Sequence, residues 1–284
     1  DRWYSDLYQS HFYASSTKDP CKYNLYIVIK RCQLILDDFI KKVHNLKPNH
    51  SYDSNFVTTT KFPTGILISL CRLFFDGQGW KHNDLKPSNI GFIVKDGQFY
   101  LEYIDLGSMG TSDSPEPFSA EHSVYPSTVL YLSNTKVPDY SGNFIEFFEI
   151  DGDDMNMTEM TFMKTTCKKA KINFSSGLGD NMWAKGLVLR ECMEGQHPAM
   201  KNGQELESIF ETLKTMDFYD DFMQSEVYNK FYKNDPEFEP VRRFLELCFE
   251  RDASERQKNF LKINDEKKEF DVPINLKEEL SKYY

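Results

Sequence analysis

The feature that most constrains the fold is a polar octapeptide, HNDLKPSN at residues 82–89, set between a predicted buried helix and a predicted hairpin. Upstream, the apolar residues of segment 62–75 recur at spacings of one, three and four, which predicts a buried helix ending near Gly77. Downstream, two short apolar runs at 90–94 and 99–104 flank an Asp-Gly pair, a strong hairpin signal. The chain is therefore expected to present several polar groups in a loop between a helix and a hairpin.

Other segments predict a mixed α+β chain whose second half is helical. A run of β-branched and aromatic residues at 23–30 predicts a strand, and an apolar stripe at 34–43 predicts the helix after it. Residues 108–174 have weak periodicity, which indicates loops with short elements rather than a second domain. Further helices are predicted at 181–194, 205–214, 218–232 and 241–250, before a charged stretch that begins at residue 261.

Charge and composition exclude several classes of protein. The formal net charge is −10 and the 44 acidic residues are spread along the chain, so it lacks the basic stripe that a nucleic acid requires of its partner. No apolar stretch approaches the roughly 18 residues of a membrane span. The six cysteines show no CxxC pair and no metal-ligand spacing, which favours free thiols in a reducing compartment, the cytoplasm or the nucleus.

The octapeptide places a carboxylate, an amine and an amide where phosphoryl transfer needs them. Asp84 can orient an attacking hydroxyl and accept its proton, and Lys86 can neutralise charge on the transferred phosphoryl group. Asn89 offers an oxygen to Mg²⁺, and a hairpin with strands of about five residues brings its outer ends within roughly 5 Å, so Asp105 is expected to share that cation. Any one of these residues alone is better explained as pinning a turn. The four together favour the catalytic interpretation.

This pattern resembles the protein-kinase family, whose catalytic loop has the form HRDLKxxN and whose metal-binding turn is DFG, here residues 82–89 and 105–107. The segment 181–186 resembles the buried DxWSxG helix of the large lobe in that family. The segment 252–256 resembles the DPxxR turn near the end of the same lobe. The resemblance therefore spans roughly residues 20–260, in the order in which the family has these motifs.

The resemblance implies an α+β, protein-kinase-like fold that consists mostly of the helical C-terminal lobe. Residues 1–33 would be a remnant of the small lobe and hinge, and residues 34–284 the C-terminal lobe. An insertion around 144–172 would offer a surface for a protein partner. In such a fold the hinge contacts the nucleotide, and the cofactor-binding residues implied here are Ile29, Lys30 and Arg31.

The implied activity is the Mg²⁺-dependent transfer of the ATP γ-phosphate to Ser or Thr hydroxyls of a protein substrate. Asp84 and Lys86 would be the catalytic residues, and the Lys86-Pro87 pair resembles the serine/threonine branch. Two alternatives stay open. One is a pseudokinase that acts as a binding module. The other is a small-molecule kinase of the choline or aminoglycoside type, which also uses HxDxxxxN and a later Asp, although the Lys-Pro pair and the WAxG helix argue against it.

Several positions depart from the family pattern. The glycine-rich loop, the strand lysine and its glutamate partner cannot be located, and if the chain is an excerpt, residues 1–12 would be the tail of a small-lobe helix. Asn83 replaces an arginine that grips an activation-loop phosphate. Gly91 replaces an aliphatic residue beneath the adenine ring. Leu106 replaces the phenylalanine of the metal turn and is expected to pack beneath His82.

Two further departures concern the support of the catalytic loop. Asn181 replaces an aspartate that accepts backbone N–H bonds from the loop, and its amide oxygen is expected to accept them instead, with Asp180 as the alternative acceptor. The APE motif of the family is replaced by residues 133–135, which leaves Arg256 without its usual glutamate partner. The substitutes expected for that glutamate are Glu146 and Glu149.

Overall fold

Helices predominate among the residues that the structure describes, and most of them follow an apolar stripe in the sequence. The computed structural model describes residues 11–13, 24–26, 32–47, 56–76, 80–106, 110–111, 129–131, 133–134, 178–200, 206–262, 270 and 274–284. Within these residues, nine α-helices accompany seven short strands, all paired antiparallel. The predicted α+β class is thereby confirmed.

The described strands are short, and all of them lie in the first half of the chain. They are β1 (His11–Tyr13), β2 (Asn24–Tyr26), β3 (Leu34–Ile35), β4 (Trp80–Lys81), β5 (Ile90–Lys95), β6 (Gln98–Tyr103) and β7 (Gly110–Thr111). The helices are α1 (Leu36–Val43), α2 (Thr64–Asp76), α3 (Leu178–Glu194), α4 (Leu206–Thr215), α5 (Phe218–Gln224), α6 (Glu226–Phe231), α7 (Glu239–Cys248), α8 (Ala253–Lys262) and α9 (Leu276–Ser281).

The central sheet has the order β3-β5-β6, and its β5–β6 hairpin forms as the sequence predicts. Asp96 and Gly97 make the two-residue turn with φ of 50° and 77°. A tight hairpin of type I′ needs positive φ at both central positions, and Asp-Gly is one of the pairs that allow it. The turn fixes a register in which Ile90 faces Tyr103. This register decides where the residues on either side of the hairpin meet.

Helix α3 is buried along its whole length and forms the centre of the helical body. The ring of Trp183 packs edge-on against Phe218 and Phe249, with ring centroids 5.5 and 5.3 Å away. Gly186 allows α7 to approach closely, because a Cβ at this position would lie 2.7 Å from the Cβ of Cys248. The core is thus built around α3, whose first turn also reaches the catalytic loop.

Three predicted elements differ in the structure. The helix predicted over 218–232 is broken at Ser225, whose hydroxyl accepts a hydrogen bond from the backbone N–H of Tyr228 and caps α6. Helix α8 was predicted only as a turn, since its apolar stripe is missing. His11 and Phe12 lie in β1, paired with β2, and not in the helix tail expected over 1–12. The strand predicted over 23–30 is confirmed at β2.

Some predicted features lie outside the described residues. They are the insertion around 144–172 and the hinge residues Ile29, Lys30 and Arg31. In the part of the chain that the structure covers, no helix has both the length and the apolar character needed to cross a membrane. The cysteines described are free thiols, namely Cys32, Cys71, Cys192 and Cys248.

Candidate active site

The predicted catalytic loop lies between β4 and β5. Lys86 is extended, and a short 3₁₀ helix follows from Pro87 to Asn89. The fixed φ of Pro87 suits the first position of that helix. The turn closes with the backbone N–H of Asn89 donating to the carbonyl of Lys86 at 2.9 Å. Asn83 has φ of 63°, a left-handed conformation that asparagine tolerates better than most residues. Local sequence therefore sets the shape of the loop.

The loop brings Asp84, Lys86 and Asn89 into direct contact. The Nζ atom of Lys86 lies 3.2 Å from Oδ2 of Asp84, an ion pair in which both side chains are largely shielded from solvent. The Nδ2 atom of Asn89 donates to the carbonyl oxygen of Asp84 at 2.7 Å and to its Oδ2 at 3.1 Å. Because the amide nitrogen faces Asp84, the amide oxygen of Asn89 is directed elsewhere and can serve as a cation ligand.

The hairpin returns the chain to the same loop. Tyr103 pairs with Ile90, and the backbone N–H of Ile104 donates to the carbonyl of Asn89 at 2.9 Å. Asp105 follows directly, with φ of 55° and an exposed side chain. Asp105 is therefore the residue that directly follows a backbone hydrogen bond to Asn89.

His82 joins the loop to this turn. Its Nε2 lies 3.1 Å from the carbonyl oxygen of Ile104, which can only accept, so the proton is on Nε2. Burial lowers the pKa of His82, so that the ring is neutral at pH 7. Its Nδ1 has no hydrogen-bond partner in the described part of the chain. The imidazole thus pins the residue before Asp105 to the catalytic loop.

The expected packing of Leu106 beneath His82 is wrong. Leu106 is 45% exposed, and the ring of Tyr103 packs beside the imidazole instead, with centroids 5.4 Å apart. The left-handed backbone at Asp105 turns the chain away from His82 before Leu106 is reached. Tyr103 was not predicted as a neighbour of His82, although the hairpin register, which sets Tyr103 opposite Ile90, was a usable signal.

Asn181 supports the loop from α3, as predicted. Its Oδ1 accepts hydrogen bonds from the backbone N–H groups of His82 at 2.9 Å and Asn83 at 3.1 Å. Its Nδ2 lies 3.4 Å from Oδ1 of Asn83. The neighbouring Asp180, considered as an alternative acceptor for these amides, accepts instead from the hydroxyl of Ser133. Two consecutive residues of α3 thus contact two different segments: Asn181 contacts the catalytic loop, and Asp180 contacts the segment 133–134.

Arg256 is fully buried and contacts both the first turn of α3 and the segment 133–134. Its Nε donates to the carbonyl of Gly179 at 2.8 Å, and its Nη1 donates to Oδ1 of Asn134 at 3.2 Å. Its Nη2 lies 3.9 Å from Oδ1 of Asp180. Neither Asn134 nor Asp180 was predicted as a partner of Arg256. The glutamates predicted as its partners, Glu146 and Glu149, lie outside the described residues.

Asn89 and Asp105 each carry a side-chain oxygen of the kind that a hard cation prefers. Among the described residues, no group of three or more His, Cys, Asp or Glu side chains is arranged to hold a metal ion. Mg²⁺ is commonly bound by one or two protein oxygens together with substrate phosphates and water. One amide oxygen and one carboxylate match that pattern, and would leave the remaining coordination positions to a phosphate substrate.

Two comparisons, one with protein-family models and one with curated proteins, identify no relative for this chain. No protein-family model matches it, and a search of curated proteins finds no match. The assignment of a function therefore depends on the residues and their geometry.

Proposed function

We propose that this chain has a protein-kinase-like fold and transfers the γ-phosphoryl group of ATP to Ser or Thr hydroxyls of a protein substrate, with Mg²⁺. The observation that carries the proposal is the contact of Asp84 with both Lys86 and Asn89, beside a hairpin that returns to Asp105. A turn-pinning role explains the bond from Asn89 to Asp84, but it gives no reason for a largely shielded lysine–aspartate pair in the same loop.

The residues divide the chemistry as follows. Asp84 would orient the acceptor hydroxyl and take its proton as the oxygen forms its bond to the γ-phosphorus. The bond from that phosphorus to the β–γ bridging oxygen breaks, and ADP leaves. Lys86, held by Asp84, would stabilise the negative charge on the transferred group. Mg²⁺ supplies neutralisation of phosphate charge when bound, and Asn89 and Asp105 would hold it.

Proper placement of these groups depends on the surrounding structure. Asn181 accepts hydrogen bonds from two consecutive backbone N–H groups, those of His82 and Asn83, directly before Asp84. The imidazole of His82 holds the carbonyl of Ile104, directly before Asp105. Both carboxylates thus follow residues whose backbone is fixed by hydrogen bonds, which favours the preorganisation that phosphoryl transfer requires.

A second candidate function is a pseudokinase that binds partners without transferring phosphate. The observation that favours it is the exposure of Leu106, since the apolar residue of the metal turn is not packed against the catalytic loop. A turn without this anchor would position Asp105 less firmly. The two candidates would have the same protein-kinase-like fold, and they differ in whether phosphate is transferred.

Incubation of the full chain with Mg²⁺ and radiolabelled ATP, in the presence of mixed protein substrates, tests the proposal. We expect label in protein, recovered as phosphoserine or phosphothreonine, and its loss in Lys86→Met. Binding of Mg·ATP without transfer would favour the pseudokinase. Label recovered only in choline, an aminoglycoside or another small hydroxyl compound would replace the protein acceptor with a small molecule.

A further inference from the structure

Tyr103 is the last residue of β6 and lies on the face of the strand that meets the helical body. Side chains alternate along a strand, so Tyr103 shares its face with Leu101, which belongs to the hydrophobic core. Tyr103 itself packs against that core. It precedes Asp105, the proposed cation ligand, by two residues. The last inward-facing side chain of the hairpin is therefore very close in sequence to the carboxylate.

Helix α2 holds the side chain of Tyr103. The hydroxyl donates to the carbonyl of Leu73 at 3.4 Å, and the ring stacks on Phe74, with centroids 6.4 Å apart and planes 19° from parallel. Phe74 is fully buried. Burial raises the pKa of Tyr103, so its hydroxyl remains a hydrogen-bond donor at neutral pH. The ring is thus fixed against the last turn of α2.

The same ring packs beside the imidazole of His82, with centroids 5.4 Å apart. Of the two imidazole nitrogens, Nε2 donates to the carbonyl of Ile104, whereas Nδ1 has no hydrogen-bond partner among the residues that the structure describes. One hydrogen bond does not determine the tilt of the imidazole, so the tilt depends on packing. Tyr103 is the aromatic neighbour that supplies such packing, and it is itself held by α2.

We propose that Tyr103 is a positioning residue for Asp105. It holds the imidazole of His82 against the carbonyl of Ile104, and this carbonyl lies directly before the proposed cation ligand. The inference rests on the proposed function, because it takes Asp105 as a ligand of Mg²⁺. Leu106, which follows Asp105, is 45% exposed and does not supply an anchor. The carboxylate is therefore positioned by the residues before it and not by the residue after it.

Three variants test this role. Tyr103→Leu removes the ring and keeps an apolar side chain in the core. Tyr100→Leu makes the same change on the same strand at a side chain that is 46% exposed, and it is the matched control. Leu106→Ala removes the alternative anchor. Thermal unfolding verifies that each variant is folded, and Tyr103→Met, with a more adaptable side chain, replaces Tyr103→Leu if that variant does not fold.

The first measurement needs no nucleotide. In proton–nitrogen correlation NMR spectra, the Nε2 proton of His82 should give a ring N–H signal that exchanges slowly with water, because it is hydrogen-bonded to the carbonyl of Ile104. We expect this signal in the unmodified chain and in Tyr100→Leu. In Tyr103→Leu it should be lost through faster exchange. Absence of the signal from the unmodified chain would overturn the inference.

The second measurement is the Mg²⁺ concentration that half-saturates the binding of ADP. Loss of a residue that orients a metal ligand from outside the coordination sphere typically weakens metal binding by about 10–100-fold. We therefore expect Tyr103→Leu to need about tenfold more Mg²⁺ than the unmodified chain. Tyr100→Leu should need the same concentration as the unmodified chain, and Leu106→Ala should show a smaller rise than Tyr103→Leu.

The outcomes separate this inference from the proposed function. If the unmodified chain binds Mg·ADP, but Tyr103→Leu keeps both the His82 signal and the Mg²⁺ requirement, the inference is overturned while the proposed function stands. The same holds if Leu106→Ala raises the Mg²⁺ requirement more than Tyr103→Leu does. If the unmodified chain binds no Mg·ADP, the proposed function fails and this inference fails with it.

Discussion

The side-chain oxygen of Asn181 accepts a hydrogen bond from the backbone N–H of His82 at 2.9 Å, across 99 residues of sequence. The same oxygen accepts from the next backbone N–H, that of Asn83. Both amides precede Asp84, and a helix that is buried along its length holds the acceptor. The position of the proposed catalytic carboxylate is therefore set by the helical core.

Replacing Asn181 by alanine should weaken both stability and activity. The substitution leaves the two loop amides without their acceptor, and an unsatisfied buried donor costs about 1–3 kcal/mol. We expect a loss of about 2 kcal/mol in the free energy of unfolding, measured in urea. Asn181→Asp keeps the accepting oxygen and serves as the matched variant. An Asn181→Ala protein as stable as the unmodified chain would show that these hydrogen bonds do not hold the loop.

Replacing Arg256 by methionine should be among the most destabilising single changes. It removes the guanidinium that pairs with buried Asp180 and donates to Asn134, and breaking a buried ion pair from one side costs about 3–5 kcal/mol. Lys258→Met, on the same helix, is the control, because Lys258 is exposed and pairs with Glu255 at the surface. Thermal unfolding should separate the two variants clearly. Equal melting temperatures would contradict a central role for Arg256.

Lys185 should destabilise the folded state at neutral pH. Burial lowers its pKa from 10.5 to about 8, although its Nζ donates to the carbonyl of Phe74. Between those two pH values the unfolded chain binds more protons than the folded one, so stability rises with pH across this window. Lys185→Met should therefore be more stable than the unmodified chain by about 1–3 kcal/mol at pH 7. Urea unfolding at pH 7 and pH 10 should show the difference shrinking at the higher pH.

Glu191 should give a pH dependence of the opposite sign. Burial raises its pKa from 4.5 to about 8, and the hydroxyl of Tyr131 donates to its Oε2. Nearby Asp37 also disfavours the charged form, while Lys41 favours it. Between those pH values the folded state binds the extra proton, so its stability falls as pH rises. Glu191→Gln should gain stability over the unmodified chain from pH 5 to pH 8, and a constant difference would contradict the raised pKa.

The elements with continuous hydrophobic patterns could be predicted from the sequence. Helices α2 and α3 follow apolar spacing, and the β5–β6 hairpin follows its Asp-Gly turn and flanking apolar runs. The closeness of Asn89 to the residue before Asp105 also follows from the equal lengths of the two strands. These are local properties, so a single sequence contains them.

The remaining elements depend on caps and distant contacts. Helices α5 and α6 both bury their apolar side chains, namely Phe218 and Phe222 in α5 and Val227 in α6. The apolar pattern of 218–232 therefore does not show that the helix is broken at Ser225. Helix α8 has no apolar stripe, since Arg256 occupies its buried face together with Phe260. Its start is fixed by Asp252, whose Oδ1 accepts from the backbone N–H of Ser254. The outward position of Leu106 depends on backbone geometry that side-chain patterns do not encode.

The central claim is that Asp84 takes part in phosphoryl transfer, and a comparison of two aspartates tests it most directly. Asp84→Asn preserves the shape of the side chain but removes the proton acceptor. Asp96→Asn changes an exposed aspartate in the hairpin turn, where asparagine also tolerates the positive φ. The measurement is the initial rate of Mg²⁺-dependent phosphate transfer from ATP to protein.

We predict that Asp84→Asn lowers this rate by a factor of about 10²–10⁴, the usual contribution of a general base, while Asp96→Asn leaves it unchanged. The folded state of both variants is verified by thermal unfolding. Transfer by Asp84→Asn at the rate of the unmodified chain would contradict the catalytic assignment. So would the absence of any Mg²⁺-dependent transfer by the unmodified chain.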